Sequence, residues 1–270
     1  MISFSLSGKV FIYAYLSCVY SSHIPAFKIY QDSLIYGDRT MEITEINRLG
    51  HELKEILGLK TSPVAVGLAA DESDIPQGMD KIDKSTRHCQ MVDNVRRTGS
   101  AFYTTLDDHQ CKGGAAVMGM SEMGEKLKNG EFYFHLNHFG NLEAARKTME
   151  KVPHVTPFSV KSIMYAPLEE ATFMPDIIVI VTNPRHVMEL SQALLYTSGG
   201  RIVSSFAGKQ SLCGDGVALP YTTGEVSVTV GCSGSRKYTQ IQDEELIISI
   251  PVEMLPELVK AADKMFGQPC

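Results

Sequence analysis

The chain is 270 residues long and 44% hydrophobic, with 25 Lys and Arg against 31 Asp and Glu for a formal net charge of −6. That length and apolar content can bury one large core, or two intimate halves, without disulfide staples. An acidic chain with no long stripe of Lys and Arg has no electrostatic means of gripping a phosphate backbone, which argues against nucleic acid and leaves small molecules or proteins as the expected partners.

In chain order, Val10 to Tyr20 is an apolar, tyrosine-rich stretch behind the single Lys9, too short to span a bilayer as a helix. Its thin charged flank and loose Tyr15-Leu16-Ser17-Cys18 box make a poorly formed signal peptide. Residues 1–40 read as an extension or a mis-called start and a candidate for disorder; the protein is then expected to be cytoplasmic, with no membrane attachment. From Met41 onward, Ile43, Ile46, Leu49, Leu53, Ile56 and Leu57 put an apolar stripe on a helix that Ser62-Pro63 ends. Pro63 to Leu68 is a run of buried-strand length, and Met91, Val92 and Val95 recur at helical spacing before a Gly99 cap. Glu131 to Leu136 is expected as a strand, followed by a helix N-capped by Asn141. Pro175 to Val181 repeats the buried run, and Val187, Leu190, Ala193 and Leu194 repeat the helical spacing before Gly199. Val226, Val228 and Val230 alternate as a strand ending at Gly231, and the strand Leu246 to Val252 leads into a helix at Leu255-Pro256.

The chain thus reads as written twice. Thr98-Gly99-Ser100 leads to Cys111-Lys112-Gly113-Gly114, and Ser198-Gly199-Gly200 leads to Cys213-Gly214-Asp215-Gly216, each copy ending in a thiol on a glycine-rich loop. The expected fold is α/β, with two related β-α-β halves from an internal duplication packed as one compact unit. The halves would be residues 41–155 and 156–270.

Four thiols stand out: Cys89 at a helix start, where free N–H groups would lower its pKa, Cys111 and Cys213 at the matched positions, and Cys232 at the end of a strand. A lone buried cysteine is a small hydrophobe, but four on polar, glycine-flanked segments point to one shared metal or cluster site. Gly113, Gly114, Gly214 and Gly234 would let backbone N–H groups turn toward an anionic object, while Arg87, Lys112 and Arg236 would offset its charge and Asp215 and Ser233 shape its surroundings. His88 and His109 each stand near a thiol and are expected to be solvated; His135 and His138, three residues apart, are expected to be structural on a strand edge. Dinucleotide, phosphate-loop and serine-hydrolase motifs are absent, as is any Cys-x-x-Cys pair.

Arg87-His88-Cys89, Cys111-Lys112-Gly113-Gly114-Ala115, Ala166-Pro167-Leu168, Pro175 to Val179 and Gly231-Cys232-Ser233-Gly234-Ser235-Arg236 resemble the DUF169 family of archaeal and anaerobic-bacterial proteins, over roughly residues 41–266. The resemblance implies a shared fold and a cysteine site, but no reaction.

Four thiolates suit either a structural zinc or a [4Fe–4S] cube. Structural zinc sites are usually built from two close ligand pairs, which are missing, whereas a cube is large enough to be gripped from four separate elements. The expected function is therefore an iron–sulfur protein of redox or electron transfer, acting on an unidentified redox partner or small molecule. The alternatives are an enzyme with an open metal site and a non-catalytic protein stapled by zinc. A homo-oligomer is compatible with all three.

Overall fold

The computed structural model describes residues 33–36 and 39–267. The Val10 to Tyr20 segment, Cys18 and Cys270 lie outside them. A hairpin of β1 (Ser33–Tyr36) and β2 (Arg39–Glu42) precedes α1 (Ile43–Leu57), which ends at Gly58 in the left-handed conformation, φ 60°. There follow β3 (Val64–Ala69), α2 (His88–Thr98), β4 (Phe102–Thr105), α3 (Lys112–Val117), α4 (Glu125–Lys128), α5 (Glu131–His135), α6 (Leu142–Met149) and β5 (Ser162–Pro167). The remainder comprises β6 (Ile177–Thr182), α7 (Pro184–Leu194), a π-helix over Ser211–Ala218, α8 (Leu219–Thr223), β7 (Ser227–Thr229), α9 (Ser233–Tyr238), β8 (Leu246–Pro251) and α10 (Leu255–Phe266).

The main sheet is six-stranded, ordered β4-β5-β3-β6-β8-β7, and antiparallel throughout. Successive side chains leave a strand on opposite faces. Val64, Val66, Ile177, Val179 and Tyr165 therefore pack on one face with Met91, Val92 and Val95 of α2. Ala65, Ile178, Ile180, Ile248 and Ile250 pack on the other with Leu49 and Leu53 of α1, Leu190 of α7 and Leu258 of α10. Helices thus cover both faces, which is why β3 and β6 are continuous apolar runs rather than alternating ones.

The mixed α/β class holds, in a distinctive arrangement. Reading outward from the central β3 and β6, each side places its first strand innermost, its third next and its second at the edge. On each side the first and second strands run parallel, with the third antiparallel between them, a split β-α-β unit. Pro167 and Pro251 each introduce a short 3₁₀ turn after the third strand. The likeness is one of topology, and the duplication itself stays an expectation. Within this topology Cys111 follows edge strand β4 and Cys232 follows edge strand β7, while Cys213 lies between β6 and β7. The sheet runs unbroken across the 155/156 division, with β5 between β3 and β4.

Two local expectations are corrected. Glu131 to Leu136 is helix rather than strand: the Asn129 side chain accepts the Glu131 N–H at 3.0 Å and starts a turn that overrides the β-preference of Phe132, Tyr133 and Phe134. The glycine-rich stretches at Cys111 and Cys213 are helical, not loops, and none of Gly113, Gly114, Gly214, Gly216 and Gly234 has positive φ. These glycines serve close packing. A Cβ on Gly113 would fall 2.6 Å from the Leu127 side chain.

Candidate metal centre

Each of the four thiols comes from a different element. Cys89 is the second residue of α2, Cys111 is the N-cap of α3, Cys213 lies in the π-helix and Cys232 is the N-cap of α9. Positive φ at Gly231, 81°, turns the chain out of β7, and a capping box closes the start of α9: Cys232 Sγ accepts the Ser235 N–H at 3.4 Å while Ser235 Oγ accepts the Cys232 N–H at 2.8 Å. The π-helix begins at Gln210, itself left-handed with φ 49°, and its eight residues are all buried.

These elements bring all four sulfurs to one pocket of about 430 Å³, walled by Phe132, Tyr133, Leu136 and Tyr238. A Cβ built on Gly114 would fall 3.4 Å from Cys111 Sγ and 3.5 Å from Cys213 Sγ, so the two sulfurs flank one bare backbone position. A Cβ on Gly234 would fall 3.7 Å from Cys232 Sγ. All four are free thiols. Among the described residues, no group of three or more His, Cys, Asp or Glu side chains is placed to hold a metal ion.

The electrostatics of the pocket follow from burial. Burial, with Cys232 and Cys111 as neighbouring like charges, pushes the Cys89 thiol up to about 12. This corrects the expectation that the helix start would lower it, because loss of water outweighs the Gln90 N–H and the Arg87 charge. Cys213 is raised further by its complete burial and by the other three thiols. Its S–H donates to Gln210 Oε1 at 3.2 Å, and Gln210 Nε2 donates to the Tyr133 hydroxyl at 3.0 Å. Among the described residues, Arg87, Lys209 and Lys237 line the pocket and no carboxylate does. The cations lie on rings: the Arg87 guanidinium 3.8 Å from the Tyr238 centroid, Lys237 5.4 Å from the same ring, and Lys209 5.6 Å from Tyr133 and from Phe139.

His88 and His109 are buried rather than solvated. His88 Nδ1 lies 2.8 Å from the Tyr165 hydroxyl, and burial, with His109 as a nearby like charge, lowers its pKa to about 3. His109 Nε2 lies 2.9 Å from Thr104 Oγ1, and burial lowers it to about 4. Both rings are neutral at pH 7. His138 lines the pocket, stacked on Tyr133, while His135 ends α5.

Of the residues singled out in the sequence, the pocket brings together Cys89, Cys111, Cys213, Cys232, Gly114, Gly234, Ser233, Arg87, His88 and His138. The others stand outside its lining. Gly214 faces Val152, Pro153 and Val117 in the core. Gly113 and Lys112 border a neighbouring cleft, with Lys112 Nζ donating to the Leu106 carbonyl at 3.0 Å. Arg236 donates to the carbonyls of Val230, Gln242 and Glu245, which ties α9 to the strands beside it and so positions Cys232 from behind. Asp215 accepts a hydrogen bond from Thr229 Oγ1 at 3.0 Å, and burial raises it to about 6. Tyr133, Gln210, Lys209, Lys237 and Tyr238 were not legible as site residues. Only the Gln210 to Cys213 spacing, three residues apart, hinted at a contact.

A family model for DUF169, described as uncharacterised ArCR, matches residues 52–261, a range that includes all four thiols. The chain belongs to the DUF169 family. It is also similar to MJ0308, an uncharacterized protein of Methanocaldococcus jannaschii, at 40% identity over 224 residues covering 83% of this chain and 96% of that protein. No solved structure matches. Among the described residues of this DUF169 protein, no helix is long and apolar enough to cross a membrane.

Proposed function

We propose that this protein holds an iron–sulfur cluster of the [4Fe–4S] type on Cys89, Cys111, Cys213 and Cys232 and serves in redox or electron transfer. The observation that carries the reading is convergence: four thiols from four separate elements line one pocket whose lining, among the described residues, holds three cations and no carboxylate. A thiolate-bound cluster is anionic, and a carboxylate-free cationic lining suits it. Gly114 fits as well, since its missing side chain leaves open the space between two of the sulfurs.

The placement of the ligands favours a cluster over zinc: the four thiols come singly from four elements, not as the two close pairs usual in structural zinc sites. A tetrahedral zinc with bonds of about 2.3 Å needs sulfurs roughly 3.8 Å apart around one point. In a cube each sulfur binds a different iron, so its ligands stand farther apart. When bound, the cluster would supply one-electron chemistry. The chain's own residues hold four thiolates in place, shield them with Phe132, Tyr133 and Tyr238, and offset their charge with Arg87, Lys209 and Lys237. Because Cys89 and Cys213 hold their protons tightly in the metal-free protein, loading is coupled to proton loss.

Anaerobic purification with iron and acid-labile sulfide analysis tests the proposal. A brown protein with about four irons and four sulfides per chain, lost on replacing any of the four cysteines by alanine, is the expected result. A colourless protein with one zinc would replace the proposal with the structural staple.

A further inference from the structure

The mouth of the four-thiol pocket has two properties that its floor does not explain. Its rim presents apolar side chains to water, with Phe132 and Leu136 each 50% exposed and Tyr238 42% exposed. Its three cations, Arg87, Lys209 and Lys237, rest on aromatic rings, and none forms an ion pair with a carboxylate among the described residues. A site built for a small molecule folds its apolar lining inward around the ligand. Here apolar groups stand outward beside three cations, the carboxylates of Glu122 and Glu125 lining the neighbouring cleft rather than this mouth, which suits a protein interface with an apolar centre and a polar rim.

We infer that this mouth is the docking face for an acidic electron-carrier protein. The inference rests on the cluster reading above and adds the partner to it. The charge argument is local, because the whole chain carries −6 and would repel an acidic partner at long range. At about 0.1 M salt, charges beyond roughly 10 Å are screened, so the partner responds to the cationic rim facing it. A face of this kind, with few unpaired charges and a small apolar centre, fits the weak complexes typical of redox encounters. Electron exchange across it moves no atoms: the reduced carrier loses one electron, the oxidised cluster gains it, and no bond forms or breaks.

The test measures binding of the full-length, iron-loaded protein to two probes, an acidic plant-type ferredoxin and the basic cytochrome c. The ferredoxin is expected to bind at least about tenfold more tightly at about 0.1 M salt, where the net −6 of the chain is screened, with that preference shrinking several-fold as salt approaches about 1 M. Reversing the rim charges, Lys209→Glu with Lys237→Glu, is expected to shift the preference toward cytochrome c by about tenfold or more. Lys264→Glu, on α10, leaves the preference in place. Visible absorption verifies that the variants fold and load; should the double variant fail there, the wild-type salt dependence decides alone. Equal affinity for both probes in iron-loaded protein overturns the docking face while leaving the cluster intact. Failure of the chain to take up iron overturns both. Displacement of ferredoxin by millimolar phosphate at constant ionic strength would assign the cations to a small anion, and that also overturns the inference.

Discussion

Replacing Gly114 with alanine separates the fold from the site, because the two respond with opposite signs. Gly114 lies inside α3, where alanine is favoured over glycine by about 0.5–1 kcal/mol. The added methyl meets Cys111 Sγ at 3.4 Å and Cys213 Sγ at 3.5 Å, ordinary contact distances that the metal-free pocket accommodates. The metal-free variant is therefore expected to be as stable as the parent or slightly more so, with a melting shift of no more than about 4 °C in a chain of this size. In the loaded protein the same methyl is wedged between two ligands against a filled site, and overpacking of that kind costs about 1–3 kcal/mol. Such a penalty lowers the loading equilibrium about five- to 150-fold. The assay is anaerobic reconstitution with limiting iron and sulfide, read by visible absorption and metal content, alongside thermal unfolding of the metal-free protein. A variant that loads like the parent would show that the space beside Gly114 is not where the cofactor sits.

Other perturbations follow from the same structure. Arg96 is buried between Asp93, at 2.9 Å, and Glu245, at 3.0 Å, and joins α2, which carries Cys89, to the segment after α9. Arg96→Leu takes the buried cation from both carboxylates, leaving Asp93 with Arg97 at 3.4 Å and the Gln240 N–H and Glu245 with the Gln242 N–H, and is expected to cost about 3 kcal/mol in a denaturant titration, the low end for a broken buried pair; a loss well below that would place the network in water. Burial raises Asp176 to about 7 although the Leu68 N–H donates to it at 2.7 Å. Its contribution to stability is present in full below the ordinary carboxylate range and fades as pH rises through 7, so urea midpoints should fall between pH 5 and 8. Asp176→Asn should flatten that fall, and an unchanged slope would exclude Asp176 as its source. Native alkylation at pH 8 should label Cys213 far more slowly than the unfolded chain, since burial keeps it protonated and out of reach. Equal rates in the two states would contradict the buried placement.

The sequence by itself determined the parts that depend on local periodicity and composition. The stripe from Ile43 to Leu57, the apolar runs at Val64 and Ile177 and the Gly99 cap with φ 74° needed no distant partner to be recognised. The four cysteines were singled out as a set by their polar, glycine-flanked settings, although Cys213 is packed in the core and Cys89 against it. Strand direction was not legible: a strand covered on both faces is an apolar run whether its neighbours are parallel or antiparallel. Glu131 to His135 was misread because its aromatic composition does not distinguish strand from helix, whereas the left-handed Gly130 before it and the Asn129 side chain accepting the Glu131 N–H set up a helical turn. The glycines beside Cys111 and Cys213 suggested positive-φ loops, yet they are small for packing inside helices, a distinction that rests on neighbours such as Leu127 and Val152. Only the tertiary structure could bring Cys89 beside Cys232, set Tyr133, Gln210 and the Lys209 and Lys237 cations around the sulfurs, and raise the thiol pKa values. Proximity, burial and local dielectric are properties of chain segments that meet in space after long separation in sequence, and no local pattern encodes them.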